Sequence, residues 1–244
     1  MPTSIIVVDD FLDDPGNLRD MALRLTYPEQ QGAFPGRSSL ERIDLEGLVP
    51  QASRCVGEPL RLLTPPQSHG KCRITLAADT GRAKVHIDPL AYWSGILYLS
   101  RPEDCRGGTE FFRHRPTRSD RAPLNRQELS AMSYPTPQAM HADIIEKDGN
   151  DDSKWEMTMQ VPMRYNRLLL LSPRLWHAAG QSFGDRLDNG RLVYLMFFGL
   201  AQRCTVDRMG AERPRQQPFA LGVACQAGEV EALDRRLSAP ALLA

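Results

Sequence analysis

Short apolar or alternating runs recur through the middle of the chain. They are CRITLAAD from Cys72, SGILYLS from Ser94, GTEFF from Gly108, MTMQVPM from Met157, RLLLLS from Arg167 and RLVYLMFFG from Arg191. Each is bounded by Gly, Pro, Asn or Asp, so the pattern predicts strands separated by turns. Strands at this density predict a mainly β domain, an all-β sandwich or closed roll. Ahead of them, SIIVVDDFL reads as a strand, and DDPGNLRDMALRLTYP places Leu18, Met21, Ala22 and Leu25 at helical spacing before Pro28 ends the helix.

Two regions break the β pattern. Between Arg113 and Trp155 the chain is polar and proline-bearing, and a connection that long is a lid, an inserted helical segment or disorder. After Gly210 it becomes polar and arginine-rich, with a weak terminal helix expected in EVEALDRRLSAPALLA. The expected organisation is one domain: a strand and helix support over 1–72, a core over 73–200 carrying the insertion at about 113–155, and a C-terminal extension over 201–244.

Composition narrows the partners. The 244 residues carry 30 basic and 30 acidic side chains, a formal charge of zero, which leaves no electrostatic footprint for nucleic acid or an anionic membrane surface. A small-molecule partner is expected instead. The five cysteines, Cys55, Cys72, Cys105, Cys204 and Cys225, lack the close pairing of a zinc site or disulfide framework and read as reduced thiols. The opening MPTSIIVVDDF has no basic stretch before its apolar residues, and no run approaches the ~20 apolar residues of a membrane span. The expectation is a soluble cytoplasmic protein.

The candidate chemistry begins in VHIDPLAYWSGILYLS, where His86 and Asp88 flank one residue at the edge of a sheet-like run. On an extended chain, two residues with one between them point to the same side. A third ligand is His177, in RLLLLSPRLWHAAGQ. Two histidines and a carboxylate on one face of a metal leave three adjacent positions open, the arrangement of non-heme Fe(II) oxygenases. A second His-x-Asp, His141 and Asp143, lies inside the polar insertion, away from any sheet-like frame that would hold ligands rigidly, and reads as a solvated helix or loop.

Two further pieces are unremarkable alone. Gly107 and Gly108 read as a turn into Thr109-Glu110-Phe111-Phe112, and Asn189-Gly190 as a turn feeding the strand that Arg191 opens. In order, however, His86-x-Asp88, GILYLS, GGTEFF, RLLLLS with His177, and an arginine opening a last apolar strand resemble the Fe(II)/2-oxoglutarate-dependent dioxygenases, in their prolyl-hydroxylase-like branch. The resemblance spans about Arg73 to Gly199, and VVDDFLDDPGNLRDMAL is similar to the strand and helix that precede the core in such proteins.

The resemblance implies a double-stranded β-helix, a cupin-like jelly roll with the metal at one open end. It implies Fe(II) held by His86, Asp88 and His177, with 2-oxoglutarate and O2 as co-substrates. Tyr98 matches a tyrosine that hydrogen-bonds the far carboxylate of 2-oxoglutarate, and Arg191 the basic residue that pairs with it. A buried dicarboxylate independently calls for a planar, permanently charged bidentate donor. Arg186 is the alternative: its nine-residue distance from His177 lies nearer the family's usual ten than the fourteen of Arg191, but it sits in the turn GDRLDNG rather than on a strand.

An intact Asp88 implies hydroxylation, or another outcome of C–H abstraction, rather than halogenation. The implied reaction oxidises a small molecule, such as an amino acid or natural-product intermediate, and releases succinate and CO2. A cupin-like metal enzyme without 2-oxoglutarate and a metal-free jelly-roll binding module are the competing readings. Trp93, Trp155 and Trp176 read as core before pocket wall. Tyr134, His141 and the arginines of the insertion are candidate substrate contacts on a lid. His69 and His114 read as loop or strand-edge residues, while Asn166 either fixes the start of its strand or reaches the site.

Overall fold

The computed structural model describes residues 3–29, 32–64 and 68–201, with the two-residue strand Leu237–Ser238 beyond them. In chain order the elements are β1 (Ile5–Val8), α1 (Pro15–Leu23), β2 (Arg37–Ser38), β3 (Ile43–Asp44), α2 (Leu48–Val56), β4 (Leu60–Leu62), β5 (Cys72–Thr75), β6 (Trp93–Tyr98) and β7 (Gly108–His114). Then come α3 (Arg126–Ala131), α4 (Pro137–Met140) running into a π-helical segment (His141–Lys147), β8 (Trp155–Pro162), β9 (Leu168–Leu171), β10 (His177–Ala178), β11 (Arg191–Leu200) and β12 (Leu237–Ser238). All six apolar runs form strands.

They pair into two antiparallel sheets. A seven-stranded sheet has the order β1-β9-β6-β11-β5-β2, with β4 pairing further along β11. A three-stranded sheet has the order β10-β7-β8, and an isolated bridge between His86 and His177 extends it by one residue. β12 pairs in parallel with β3. The terminal helix expected after residue 228 otherwise lies outside the described residues.

Side-chain alternation decides what packs where. On the large sheet, Leu97 of β6, Leu168 and Leu170 of β9, and Leu192, Tyr194, Met196 and Phe198 of β11 face a core closed by Leu18 and Ala22 of α1 and Ala52 of α2. The alternate residues, Ile96, Tyr98, Leu169, Leu171 and Val193, face the three-stranded sheet and meet Phe111 and Val161 there, together with Met163 and Phe183. β9 is an unbroken run of leucines because both its faces are covered. Burying each of them contributes roughly 1.5–3 kcal/mol.

α1 begins where the sequence predicts. The Asp14 side chain accepts the Asn17 N–H, Pro15 occupies the first turn, and Leu18, Ala22 and Leu25 are buried. The strands β2, β3 and β4 and the helix α2 were not legible as elements within residues 1–72. The strands are two or three residues long, too short for a period, and α2 carries Pro50 and lacks a side-chain cap. No helix among the described residues is long and apolar enough to cross a membrane.

The insertion is packed. Ala122, Leu129, Met140, Ile144 and Ile145 form a third core with Phe112, Trp155, Val85, Ile87, Trp176 and Ala178. Val85 and Ile87 flank His86, and Trp176 and Ala178 flank His177. By alternation the insertion therefore supports the opposite side of the chain from the one that presents the histidines. The expectation of a lid gives way to a buttress, since a helical segment with its own buried leucine and isoleucines is anchored by the hydrophobic effect.

Candidate metal centre

His86 and His177 form a mutual backbone pair. The His86 N–H donates to the His177 carbonyl at 2.9 Å, and the His177 N–H returns to the His86 carbonyl at 3.1 Å. Residues paired this way project to the same side. Asp88, two residues on, is fixed by its N–H to the Pro173 carbonyl at 2.8 Å. One ligand atom each from His86, Asp88 and His177 lie within 4.8 Å of one another, so the fold brings together the three residues picked out in the sequence.

Each imidazole is oriented from behind. His86 Nδ1 lies 3.1 Å from the Lys84 carbonyl and His177 Nδ1 lies 2.8 Å from the Leu175 carbonyl. A carbonyl only accepts, so both Nδ1 atoms carry a proton, which leaves each Nε2 as the nitrogen a metal would take as ligand. Ser94, on β6, donates its hydroxyl to Asp88 Oδ2 at 2.6 Å. His177 Nε2 stands 3.5 Å from the same oxygen.

The electrostatics fit a cation-binding cluster. Burial, joined by the charge of His177, pushes His86 down to about 4. Burial opposes ionisation of Asp88, but the hydrogen bond from His177, both imidazoles and Ser94 outweigh it and hold the carboxyl at about 2. Burial acts against a charged His177, yet Asp88 overcomes it and raises that imidazole above its ordinary value. The cluster thus offers one carboxylate and two imidazoles, and a metal binding there would displace any proton held on the ligand nitrogens.

Deeper between the sheets lies Arg191, 3% exposed, with an Nε that has no hydrogen-bond partner among the described residues. Its guanidinium carbon is 5.9 Å from the centre of the Tyr98 ring. Burial lowers its pKa, against the charges of Tyr98 and Glu110. Arg191 shares its strand face with Val193, which pairs with Tyr98 on β6 and Arg73 on β5, so all four point between the sheets. Arg186, the alternative, is 66% exposed at its side chain and pairs with Asp185 and Asp188.

The Tyr98 hydroxyl accepts the Thr109 N–H at 3.2 Å and shares a 2.7 Å hydrogen bond with Thr109 Oγ1. With Thr109 Oγ1 as donor in the second bond, the phenolic proton stays available to an incoming acceptor. Arg73 is the residue that sequence reading missed. Its signal is present in CRIT: an arginine occupies the inward position between Cys72 and Ile74, which both face the helix-covered core.

The other candidates have local partners. His141 pairs with Glu146, and Asp143 accepts from Tyr134 and Lys147, so the second His-x-Asp makes no cluster with a third ligand among the described residues. Trp93, Trp155 and Trp176 are core residues. Asn166, at φ 60°, bonds the Leu12 N–H and carbonyl through its side chain and fixes the chain ahead of β9. His69 is buried against Phe197 and Phe198, and His114 against Asp148 and Trp155. Cavities of about 380 Å³, beside Cys105 and Tyr165, and about 570 Å³, beside Leu129 and Pro137, include none of the three clustered residues in their walls.

The fold is thus two antiparallel sheets with a His-Asp-His cluster at the edge of the smaller one. The chain belongs to a family of unknown function, DUF6445, which it matches over residues 2–198, from β1 through nearly all of β11. No curated protein matches the sequence. Among solved structures it is similar to HygX from Streptomyces hygroscopicus with nickel, 2-oxoglutarate and hygromycin B bound, at 16% identity and a TM-score of 0.47 over 82% of this chain and 84% of that one. HygX with iron bound gives 18% identity and a TM-score of 0.40 over 82% and 83%.

Proposed function

We propose that this protein is an Fe(II)- and 2-oxoglutarate-dependent oxygenase that oxidises a C–H bond of a small molecule, on a double-stranded β-helix of the kind the motif order resembles. The observation that carries the reading is Arg191: a guanidinium almost wholly out of water, with one nitrogen unpaired, in the same inter-sheet space onto which Ser94, the partner of Asp88, projects. A buried guanidinium that makes no ion pair among the described residues is costly, and a carboxylate ligand would supply one.

The residues fit the implied groups. Two Nε2 lone pairs and one carboxylate make the three-ligand face typical of non-heme iron. Fe(II) with 2-oxoglutarate and O2 supplies the oxidising power for C–H cleavage, chemistry that belongs to those groups rather than to the protein. Ser94 orients Asp88, and the Lys84 and Leu175 carbonyls fix the two imidazoles. Arg191 takes the far carboxylate of 2-oxoglutarate, Tyr98 donates its freed O–H to the same group, and Val193, Phe183 and Met163 keep water from that ion pair.

The test is an anaerobic titration of the protein with Fe(II) and then 2-oxoglutarate. The expected result is a weak visible charge-transfer band that His177→Ala abolishes, followed by succinate formation when oxygen is admitted with substrate. Folded protein that binds Fe(II) but gives neither band nor 2-oxoglutarate affinity overturns the proposal in favour of a metal enzyme without that co-substrate. Folded protein that binds no divalent metal leaves only a binding module.

A further inference from the structure

Phe34 lies outside every apolar core and is 36% exposed, yet its ring centroid stands 4.2 Å from that of His86, tilted by 46°. The His177 ring also contacts His86, at 4.4 Å and 52°. His86 is therefore held by two ring contacts and one hydrogen bond, on a single bridge rather than in a full strand. A ligand placed on so short a pairing gains its orientation from what packs on it.

An exposed segment does not hold an aromatic ring in place without an anchor, and Arg73 is that anchor. Its Nη2 donates to the Phe34 carbonyl at 2.7 Å and to the Pro35 carbonyl at 2.6 Å, its Nε to Pro35 at 3.0 Å, and its Nη1 to Ser38 Oγ at 2.7 Å. The guanidinium fork thus directs its donors at one short segment, to its backbone carbonyls and the Ser38 hydroxyl. β2 extends the clamp by pairing Ser38 with Arg73 and Arg37 with Ile74. At the other end the Ala83 N–H donates to the Ala33 carbonyl at 2.7 Å, tying the segment to the chain that leads into His86. Gly36, at φ 90°, makes the approach possible, since a Cβ there would collide with the Ile74 carbonyl.

We propose that Phe34 is a positioning residue of the metal centre, fixing the His86 ring, and that Arg73 acts through it by clamping residues 34–38. This rests on the reading of His86, Asp88 and His177 as metal ligands. If residues 34–38 and their clamp by Arg73 served only the fold, the centre would be indifferent to Phe34.

The experiment uses the full chain and Co(II) alone as the probe, read by its d–d absorption. Phe34→Ala and Arg73→Gln are each expected to weaken Co(II) binding roughly tenfold, the scale of lost outer-shell support, and to change the band shape. The double variant should be no weaker than Arg73→Gln, because both changes act on one contact, and Phe34→Tyr should restore both affinity and spectrum. In metal-free protein the His86 ring proton signals, displaced by the Phe34 ring current, should move in the same direction in both single variants. Wild-type Co(II) affinity and spectrum in Phe34→Ala would overturn the positioning role while leaving the metal centre standing. Failure of wild-type protein to take up Co(II) would instead overturn the reading of the centre, and with it this proposal. Co(II) uptake without 2-oxoglutarate binding would remove the co-substrate and leave the positioning role intact.

Discussion

The Nε of Arg191 is buried without a hydrogen-bond partner among the described residues, and in the proposed function that one atom ties stability to ligand binding. Replacing buried ionic groups by well-packed apolar side chains of similar volume is often neutral or stabilising, by up to about 4 kcal/mol. Arg191→Met is therefore expected to raise the unfolding midpoint of the metal-free protein while abolishing 2-oxoglutarate binding. Arg186→Ala, on an exposed turn where ion pairs contribute little, should change neither. Thermal unfolding alongside 2-oxoglutarate titration checks both. A destabilised Arg191→Met would mean that Arg191 serves the fold, and the argument for a carboxylate ligand would lose its physical basis.

At the scale of elements, the insertion changes the picture most. Leu129, Met140, Ile144 and Ile145 bury against residues on either side of His86 and His177, so the segment and the metal centre should unfold together. Ile144→Ala, which truncates a wholly buried side chain, is expected to cost about 2–5 kcal/mol and to lower the midpoint of a single urea transition. A separate, earlier transition for the insertion, or rapid amide exchange across 126–147, would restore the lid. The sequence concealed this arrangement for a physical reason. The six core strands were legible because each carries a run of apolar residues between turn formers. The short helices of the insertion bury only a few residues each, spread among charged ones, which leaves no helical period to read. The same holds within the centre. His86, Asp88 and His177 were legible as a candidate ligand set from spacing and order, and Arg191 as a proposed carboxylate partner from the strand it opens. Arg73 and Phe34 were not, because their roles come from the pairing of β2 with β5, which two residues of strand do not announce.

Across the whole molecule, the formal charge of zero hides an asymmetry in how acid acts on the fold. His69 and His114 are both buried. Burial pulls the His69 imidazole below its ordinary value, against the raising effect of the Phe197 backbone, and burial likewise lowers His114 despite Asp148. In the unfolded chain both titrate near 6.5. As pH falls through that value the unfolded state takes up protons that the folded state refuses, so folding stability is full above it and declines on acidification. The decline is at most about 1.4 kcal/mol per pH unit for each histidine, and it continues until the folded-state value is reached. Structurally, protonating His69 Nδ1 ends its role as acceptor of the Phe197 N–H at 2.9 Å and turns it into a donor to the Phe197 carbonyl at 3.1 Å. Unfolding free energies measured from pH 8 to pH 5 should therefore be flat at first and then fall below about pH 6.5, and His69→Gln should make that fall shallower. A stability that still rises on acidification through this range once His177, whose imidazole is raised, is replaced by alanine would show that the two histidines are protonated in the folded protein. The pairing of His114 with Asp148 would then be a charged bridge between β7 and the insertion rather than a neutral hydrogen bond.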